Sequence, residues 1–432
     1  MNNLQHPVPH LTTPNTQPLQ HLERIMLEKQ IEIETWFRPQ FQKTPAPLTS
    51  SVDIRNAGFK IAPVDTNLFP AGFNNLNPEF DPMSIQAAQN IISTSMPGCK
   101  KIMLIPEDHT RNPFYLESLA RLRNILTLAG FDVRIGSLRP DLIDSETHPV
   151  ANDTPLVYHP IKRQQNRLTI GDFSPCMILL NNDLSAGVPE ILENLEQWVR
   201  PSEQLGWAKR FKSDHFTYYQ EVVSSFCQAL DIDPWCISPM FSVYDDIDFK
   251  HASGETELAQ KVDQLLEEIQ QKYDQLEIQQ KPFVVVKADA GTYGMGIMMI
   301  ESGSQLLTLN RKQRNKMSQT KGNKKIERVI IQEGVPTCES WQVDEAVAEP
   351  VVYMLGHHVI GGFYRVHTGR GKNENLNAPG MHFEPLAFAK ACNYPKANDC
   401  QNRFYVYGVI ARLAALAAAR ELAALDFQYK GE

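Results

Sequence analysis

FVVVKADAGTYGMGIMMI, residues 283–300, sets a lysine at the end of one apolar run and three glycines before the next. Val, Ile and Met dominate both runs, so each reads as a short strand. Gly291, Gly294 and Gly296 lie between them, and glycine lets backbone N–H groups approach an anion unobstructed. Two readings are open. The loop is either a plain hairpin turn needing positive φ, or a flap over phosphates that Lys287 reaches from the strand end. A Walker loop is excluded because its lysine follows the glycines, and a dinucleotide fingerprint because IMMI continues as strand where that motif opens into a helix.

Downstream, RVIIQE, EPVVYML and HHVIGGFYRV read as further strands, and a helix over about 404–425 closes the chain. This part is α+β, an antiparallel sheet with helices. Upstream, a helix over 255–280 carries Leu258, Val262, Leu265, Leu266, Ile269 and Tyr273 on one face and reads as a connector. KIMLI (101–105), a helix capped by Asn112 with Pro113 first, and FDVRIGSL form a βαβ unit. CMILL (176–180) opens a second unit, with helices expected at 188–199 and from Ser213. An amphipathic helix is expected near 21–37, and the segment 61–82 is too polar and punctuated for core. Four regions follow: a flexible 1–20, an α/β region 21–200, a lead-in and helical connector 201–280, and a sheet region 281–432.

The 432 residues carry 42 Lys or Arg against 50 Asp or Glu, a net charge of −8, which argues against a dedicated nucleic-acid binder. No run is long and apolar enough for a membrane span, and residues 1–20 lack the pattern of a signal peptide. Seven cysteines without a CxxC pair read as reduced thiols of a cytoplasmic protein. The run 311–328 holds eight basic residues without interleaved aromatics, so it reads as a solvated loop. His357 and His358 are adjacent on a strand, face opposite sides, and read as ordinary histidines.

The lysine-ended strand, the glycine flap and VIIQEGV (329–335) as a hinge strand resemble the ATP-grasp fold of carboxylate–amine ligases. EPVVYMLGHHVIGGFYR (349–365) is similar to that family's strand pair ending in arginine. NLNAPG (375–380) with EPL (384–386) is similar to the active-site loop of its glutathione-synthetase-like members. PVDTNLFPAGFNNL (63–76) and IPEDHTRN (105–112) narrow the resemblance to the short proteobacterial type of glutamate–cysteine ligase.

That resemblance implies a pre-ATP-grasp-like α/β region for substrate binding, followed by a C-terminal α+β ATP-grasp fold. It implies ATP and Mg²⁺ as cofactors and glutamate and cysteine as substrates. The product would be γ-glutamylcysteine, formed through a glutamyl phosphate as the first step of glutathione biosynthesis. Lys287 and Lys212 would meet the ATP phosphates, and Gly291, Gly294 and Gly296 would form the flap. Gln332, Glu333, Gly334 and Val335 would meet the adenine. Arg365 and Asn375 would face the phosphates and the acyl phosphate. The family holds its metal on an Asp-bearing strand and a Glu-x-Asn strand after the last helix. Asp426 matches the aspartate, no Glu-x-Asn follows it, and Glu384 and Asn377 are the substitutes expected here.

For the amino-acid substrate, Asp65, Asn67, Asn74 and Asn75 are either turn residues bonding their own backbone or ligands for ammonium and carboxylate. Arg111 and Asn112 lie just beyond a strand end, where ligands of α/β sheets bind, although Asn112 also has the helix to cap. An ATP-grasp ligase for another amino acid or peptide, or an ATP-binding protein without turnover, also fits these motifs. No nucleic-acid or membrane partner is expected, and self-association is left open.

Overall fold

The structure, a computed structural model, describes residues 11–12, 16–107, 111–151, 153–291, 296–318, 325–341, 346–385 and 403–430. The fold is mixed α/β, with three main sheets among these residues. The first runs Trp198–Arg200, Met177–Asn181, Lys101–Pro106, Asp132–Ser137, Leu156–Pro160 and Glu146–His148, parallel except at its last strand. Ile102 and Leu104 pack towards helix Pro113–Leu128, while Met103 and Ile105 meet Phe173 and Leu180 on the other face. Burial on both faces is why KIMLI is continuously apolar instead of alternating.

The second sheet is antiparallel, in the order Phe241–Asp245, Arg328–Glu333, Val284–Ala288, Ile297–Ile300. Helix Glu255–Gln275 covers one face, its Leu258, Val262, Leu265 and Ile269 sharing a core with Val284, Val286 and Ile331. Strand side chains alternate between faces, so Val285 and Lys287 are left for the other side.

The third sheet joins distant parts of the chain. Ala346–Leu355 pairs with His358–His367 and also with Thr49–Asn56, which in turn pairs with Ile61–Asn67. A hairpin from the first 70 residues is thus built into the sheet formed by the C-terminal strands, and the boundary expected near 200 does not separate the sheets. Helix Arg403–Lys430 packs on this sheet with helix Lys212–Leu230. Val406, Tyr407, Val409, Ala411, Ala415 and Leu416 are all buried, so this helix is apolar around its circumference because it is enclosed. Among the described residues no helix is long and apolar enough to cross a membrane.

Several expectations change. The helix near 21–37 is two helices, Gln17–Glu28 and Gln30–Lys43, broken at Lys29, whose Nζ donates to the Leu230 carbonyl. Order begins within the stretch read as flexible, since Leu11–Thr12 pairs with Glu339–Trp341. No helix forms at 188–199. A single turn, Glu190–Leu192, leads to strand Trp198–Arg200. Val188, Ile191, Leu192 and Leu195 have helical spacing, but they pack under the parallel sheet from irregular backbone. The polar stretch 61–82 contributes strand Ile61–Asn67 and buries Leu68, Phe69, Phe73 and Leu76. Its Asn side chains satisfy local turns, which leaves the apolar residues between them free to turn inward.

Candidate active site

Between the second and third sheets lies an open cleft. Lys287, at the end of Val284–Ala288, donates from Nζ to Gln332 Oε1 (2.6 Å) and to the Val64 carbonyl (2.9 Å). Lys212 opens helix Lys212–Leu230. Its Nζ donates to the Gly291 carbonyl at 2.7 Å and lies 4.4 Å from the Trp207 ring centre. Fully buried Asp289 fixes that arrangement. It accepts from Ser213 N (2.8 Å), Ser213 Oγ (2.6 Å) and Arg328 Nε (2.7 Å), locking the helix start to the glycine loop.

The cleft floor is a chain of alternating charges on the third sheet. Arg365 Nη1 donates to Glu349 Oε1 (2.5 Å) and Asp53 Oδ2 (2.8 Å), while Arg55 Nε donates to Glu349 Oε2 (2.7 Å). Arg55 also reaches the carbonyls of Glu374 and Val335, holding the 370–380 loop and the hinge. Glu349 and Arg365 are direct cross-strand partners, as are Asp53 and Asp65. The two arginines balance Asp53 and Glu349, and Lys60 behind the wall neutralises Glu333, which leaves Lys212 and Lys287 against Asp65 and one cation in excess.

Burial shapes the ionisation. It pushes Lys287 down to about 8, with Asp65 opposing and Lys212 and Arg55 reinforcing the fall. Burial also lowers Lys212, again against Asp65. Asp53 is raised by burial and by Glu349 and Asp65, despite Arg365. Burial alone would raise Glu349, but Arg55 and Arg365 together hold it below the usual carboxylate value.

Of the residues singled out in the sequence, Lys212, Lys287, Gly291, Gln332, Glu333, Val335, Arg365, Asn375, Asn377 and Asp65 all line this cleft. Glu333 does so while its side chain is committed elsewhere. Its Oε2 is 2.6 Å from buried Lys60 and accepts from Met240 N at 2.8 Å. Gly334 is set by packing, since a Cβ there would meet the Phe283 ring at 2.2 Å. Gly296 takes φ +65 and is not among the lining residues, and Gly294 lies outside the described residues.

The remaining candidates sit apart from the cleft. Asn67 bonds the Phe69 backbone, and Asn74 and Asn75 form a single turn with Phe73. Asn112 caps helix Pro113–Leu128 by accepting from Phe114 N and Tyr115 N, and Arg111 is exposed beside it. Glu384 stands on edge strand His382–Pro385 beside His382. Asp426 belongs to the final helix instead of a strand, and its side chain lies outside the described residues. Asp53, Arg55 and Glu349 were missed, although the alternation V-D-I-R at 52–55 puts Asp53 and Arg55 on one strand face.

The chain matches the family model GshA, glutamate-cysteine ligase, over residues 23–422. It belongs to the glutamate–cysteine ligase family. A crystal structure from Methylobacillus flagellatus KT, assigned as a gamma-glutamylcysteine synthetase, is 53% identical, with 97% of this chain and 99% of that one covered and a TM-score of 0.89. A glutathione synthetase-like effector from Globodera pallida is 8% identical over 88% of this chain and 90% of its own, with a TM-score of 0.41. D-alanyl-alanine synthetase A from Vibrio cholerae is 9% identical over 73% and 81%, with a TM-score of 0.32. No curated protein matches the sequence. As a member of the family, the protein is an ATP-dependent ligase of glutamate and cysteine, acting in glutathione biosynthesis.

Proposed function

We propose that the cleft between the second and third sheets is an ATP-grasp nucleotide site in which the γ-carboxylate of glutamate is phosphorylated and then captured by the cysteine amine. The observation that carries this reading is the pair of half-buried lysines, Lys212 and Lys287, lining the cleft beside Gly291 and opposite an arginine-bearing strand. Transfer of a phosphoryl group needs charge neutralisation more than covalent participation. Lys287 and Lys212 supply it from the side of Gly291 and Arg365 from the floor. Arg365 Nε is buried without a hydrogen-bond partner among the described residues and is available to an incoming oxygen. Asn375 and Asn377 close the cleft on its loop side, and the backbone at Glu333 and Val335 is the base's hinge. The glutamate carboxylate oxygen attacks the γ-phosphorus and ADP leaves. The cysteine nitrogen then attacks the activated carbonyl and inorganic phosphate leaves. Exclusion of water by the flap protects the intermediate from hydrolysis.

Among the described residues no three His, Cys, Asp or Glu gather as a metal cage. Mg²⁺ usually needs only one or two carboxylates when phosphates complete its shell. Asp53 and Asp65 fit that requirement. They are hard oxygen donors, directly paired across adjacent strands, and Asp53 is raised partly by its acidic neighbours. They would hold the metal in place of Asp426 and Glu384, and Asp65 would then serve the nucleotide instead of the amino-acid ammonium. Bound there, Mg²⁺ would neutralise phosphate charge. The hairpin that carries Asp53 and Asp65 is paired to Ala346–Leu355, and both carboxylates line the cleft with Arg365, which supports this reading. Asp65→Asn raises the Mg²⁺ concentration for half-maximal rate by at least about tenfold; an unchanged magnesium titration contradicts the assignment. The setting is cytoplasmic, consistent with Cys99, Cys176, Cys227, Cys236 and Cys338 all being free thiols.

The clamp has a pH signature. Lys287 acts as a cation, and in the free protein it loses its proton near 8. The charged form lies below that value, so kcat/KM for ATP falls about tenfold per pH unit above it. Lys287→Arg keeps a guanidinium charged throughout this range and moves the limb upward. A wild-type profile flat to about pH 10 contradicts the role.

A further inference from the structure

A second cavity adjoins the nucleotide cleft and shares Ile297, Met299, Asn375 and Asn377 with it. It flanks the edge strand Ile297–Ile300, between helix Arg311–Ser318 and the 370–380 loop. Its wall combines the thioethers of Met298, Met299 and Met317 with two cations, Lys316 and Arg370, against one carboxylate, Glu374. Arg370 Nη1 donates to Glu374 Oε1 at 2.8 Å, and both groups are partly exposed, so the guanidinium keeps other donors free. The loop that carries Arg370 is anchored from behind: Arg55 holds the Glu374 carbonyl at 2.6 Å, and His367 Nε2 lies 3.1 Å from the Pro379 carbonyl.

We infer that this cavity is the subsite for the acceptor amino acid, taking the cysteine carboxylate on Lys316 and Arg370 and the thiol against the methionines. The inference rests on the reading above that the adjoining cleft forms the acyl phosphate. Three features of the acceptor match the wall. Its carboxylate requires cations outside the phosphate clamp, because Lys212 and Lys287 are already committed there. Its thiol is soft and weakly polar and suits polarisable thioether surface. Its amine must reach the activated carbonyl, and Asn375 and Asn377 are the polar residues common to both spaces.

The test compares wild type with Lys316→Gln/Arg370→Gln, using cysteine and its carboxamide as alternative acceptors in phosphate release driven by ATP and glutamate. Wild type prefers cysteine to the carboxamide. In the double variant the KM for cysteine rises about tenfold, as loss of charge-assisted hydrogen bonds predicts, the carboxamide KM stays put, and the two acceptors become alike. The KM values for ATP and glutamate stay within about twofold. A retained preference for cysteine overturns the subsite, as does a rise confined to the ATP or glutamate KM, which would hand the cavity to that substrate. Absence of cysteine-dependent phosphate release in wild type would instead strike the underlying reading, so the two failures are separable.

Discussion

Lys287→Ala lowers kcat by about 10²–10³-fold, the usual cost of removing one preorganised group that stabilises developing charge. The lysine stands where two sheets face each other, and its Nζ is held by Gln332 Oε1 and the Val64 carbonyl before any nucleotide arrives. Little reorganisation is then needed as charge shifts onto the transferring group. Lys212 remains in the variant and still binds polyphosphate, so the ATP KM changes less than kcat. Steady-state kinetics with ATP varied separate the two. A loss confined to KM means that Lys287 serves binding alone and not the transfer step.

Lys60→Met destabilises the protein by about 3–5 kcal/mol, because it strands a carboxylate in the interior. Lys60 and Glu333 are each about 1% exposed and lie 2.6 Å apart, and the ammonium also sits 3.9 Å from the Trp235 ring centre. Glu333 Oε1 already lacks a partner among the described residues, so nothing there replaces the lysine. The pair pins the turn between Thr49–Asn56 and Ile61–Asn67 to the end of hinge strand Arg328–Glu333. That turn belongs to the hairpin carrying Asp53 and Asp65, so the pair joins strand Arg328–Glu333 to the acidic floor. Urea unfolding reads the loss, and Lys60→Met/Glu333→Gln recovers most of it because the stranded charge is gone. A single variant within about 1 kcal/mol of wild type contradicts the pin.

Much of the nucleotide side was legible in the sequence. Lys287, the glycines and VIIQEGV are contiguous, and their strand–loop–strand order is a local pattern. Lys212 could be read from the family resemblance, placed just before the helix expected from Ser213. The floor was less legible because it is assembled from strands about 300 residues apart, Thr49–Asn56 against Ala346–Leu355. Asp53 and Arg55 look like ordinary exposed strand residues until Glu349 and Arg365 are set beside them. The same long-range pairing explains why Asp53 and Asp65 were not read as a pair, since carboxylates paired by register rather than by sequence leave no motif. Asn112 illustrates the opposite case. Its local role as a helix cap was readable and is realised through its side-chain oxygen.

The central claim is that this cleft couples ATP cleavage to joining glutamate and cysteine. The direct measurement is phosphate release from Mg-ATP by the purified protein, with glutamate and cysteine supplied singly and together and the product weighed by mass spectrometry. The account predicts sustained release only with both, one γ-glutamylcysteine formed per phosphate, and none from Lys287→Ala at the same enzyme concentration and time. Nucleotide binding without release in the presence of both amino acids would contradict it.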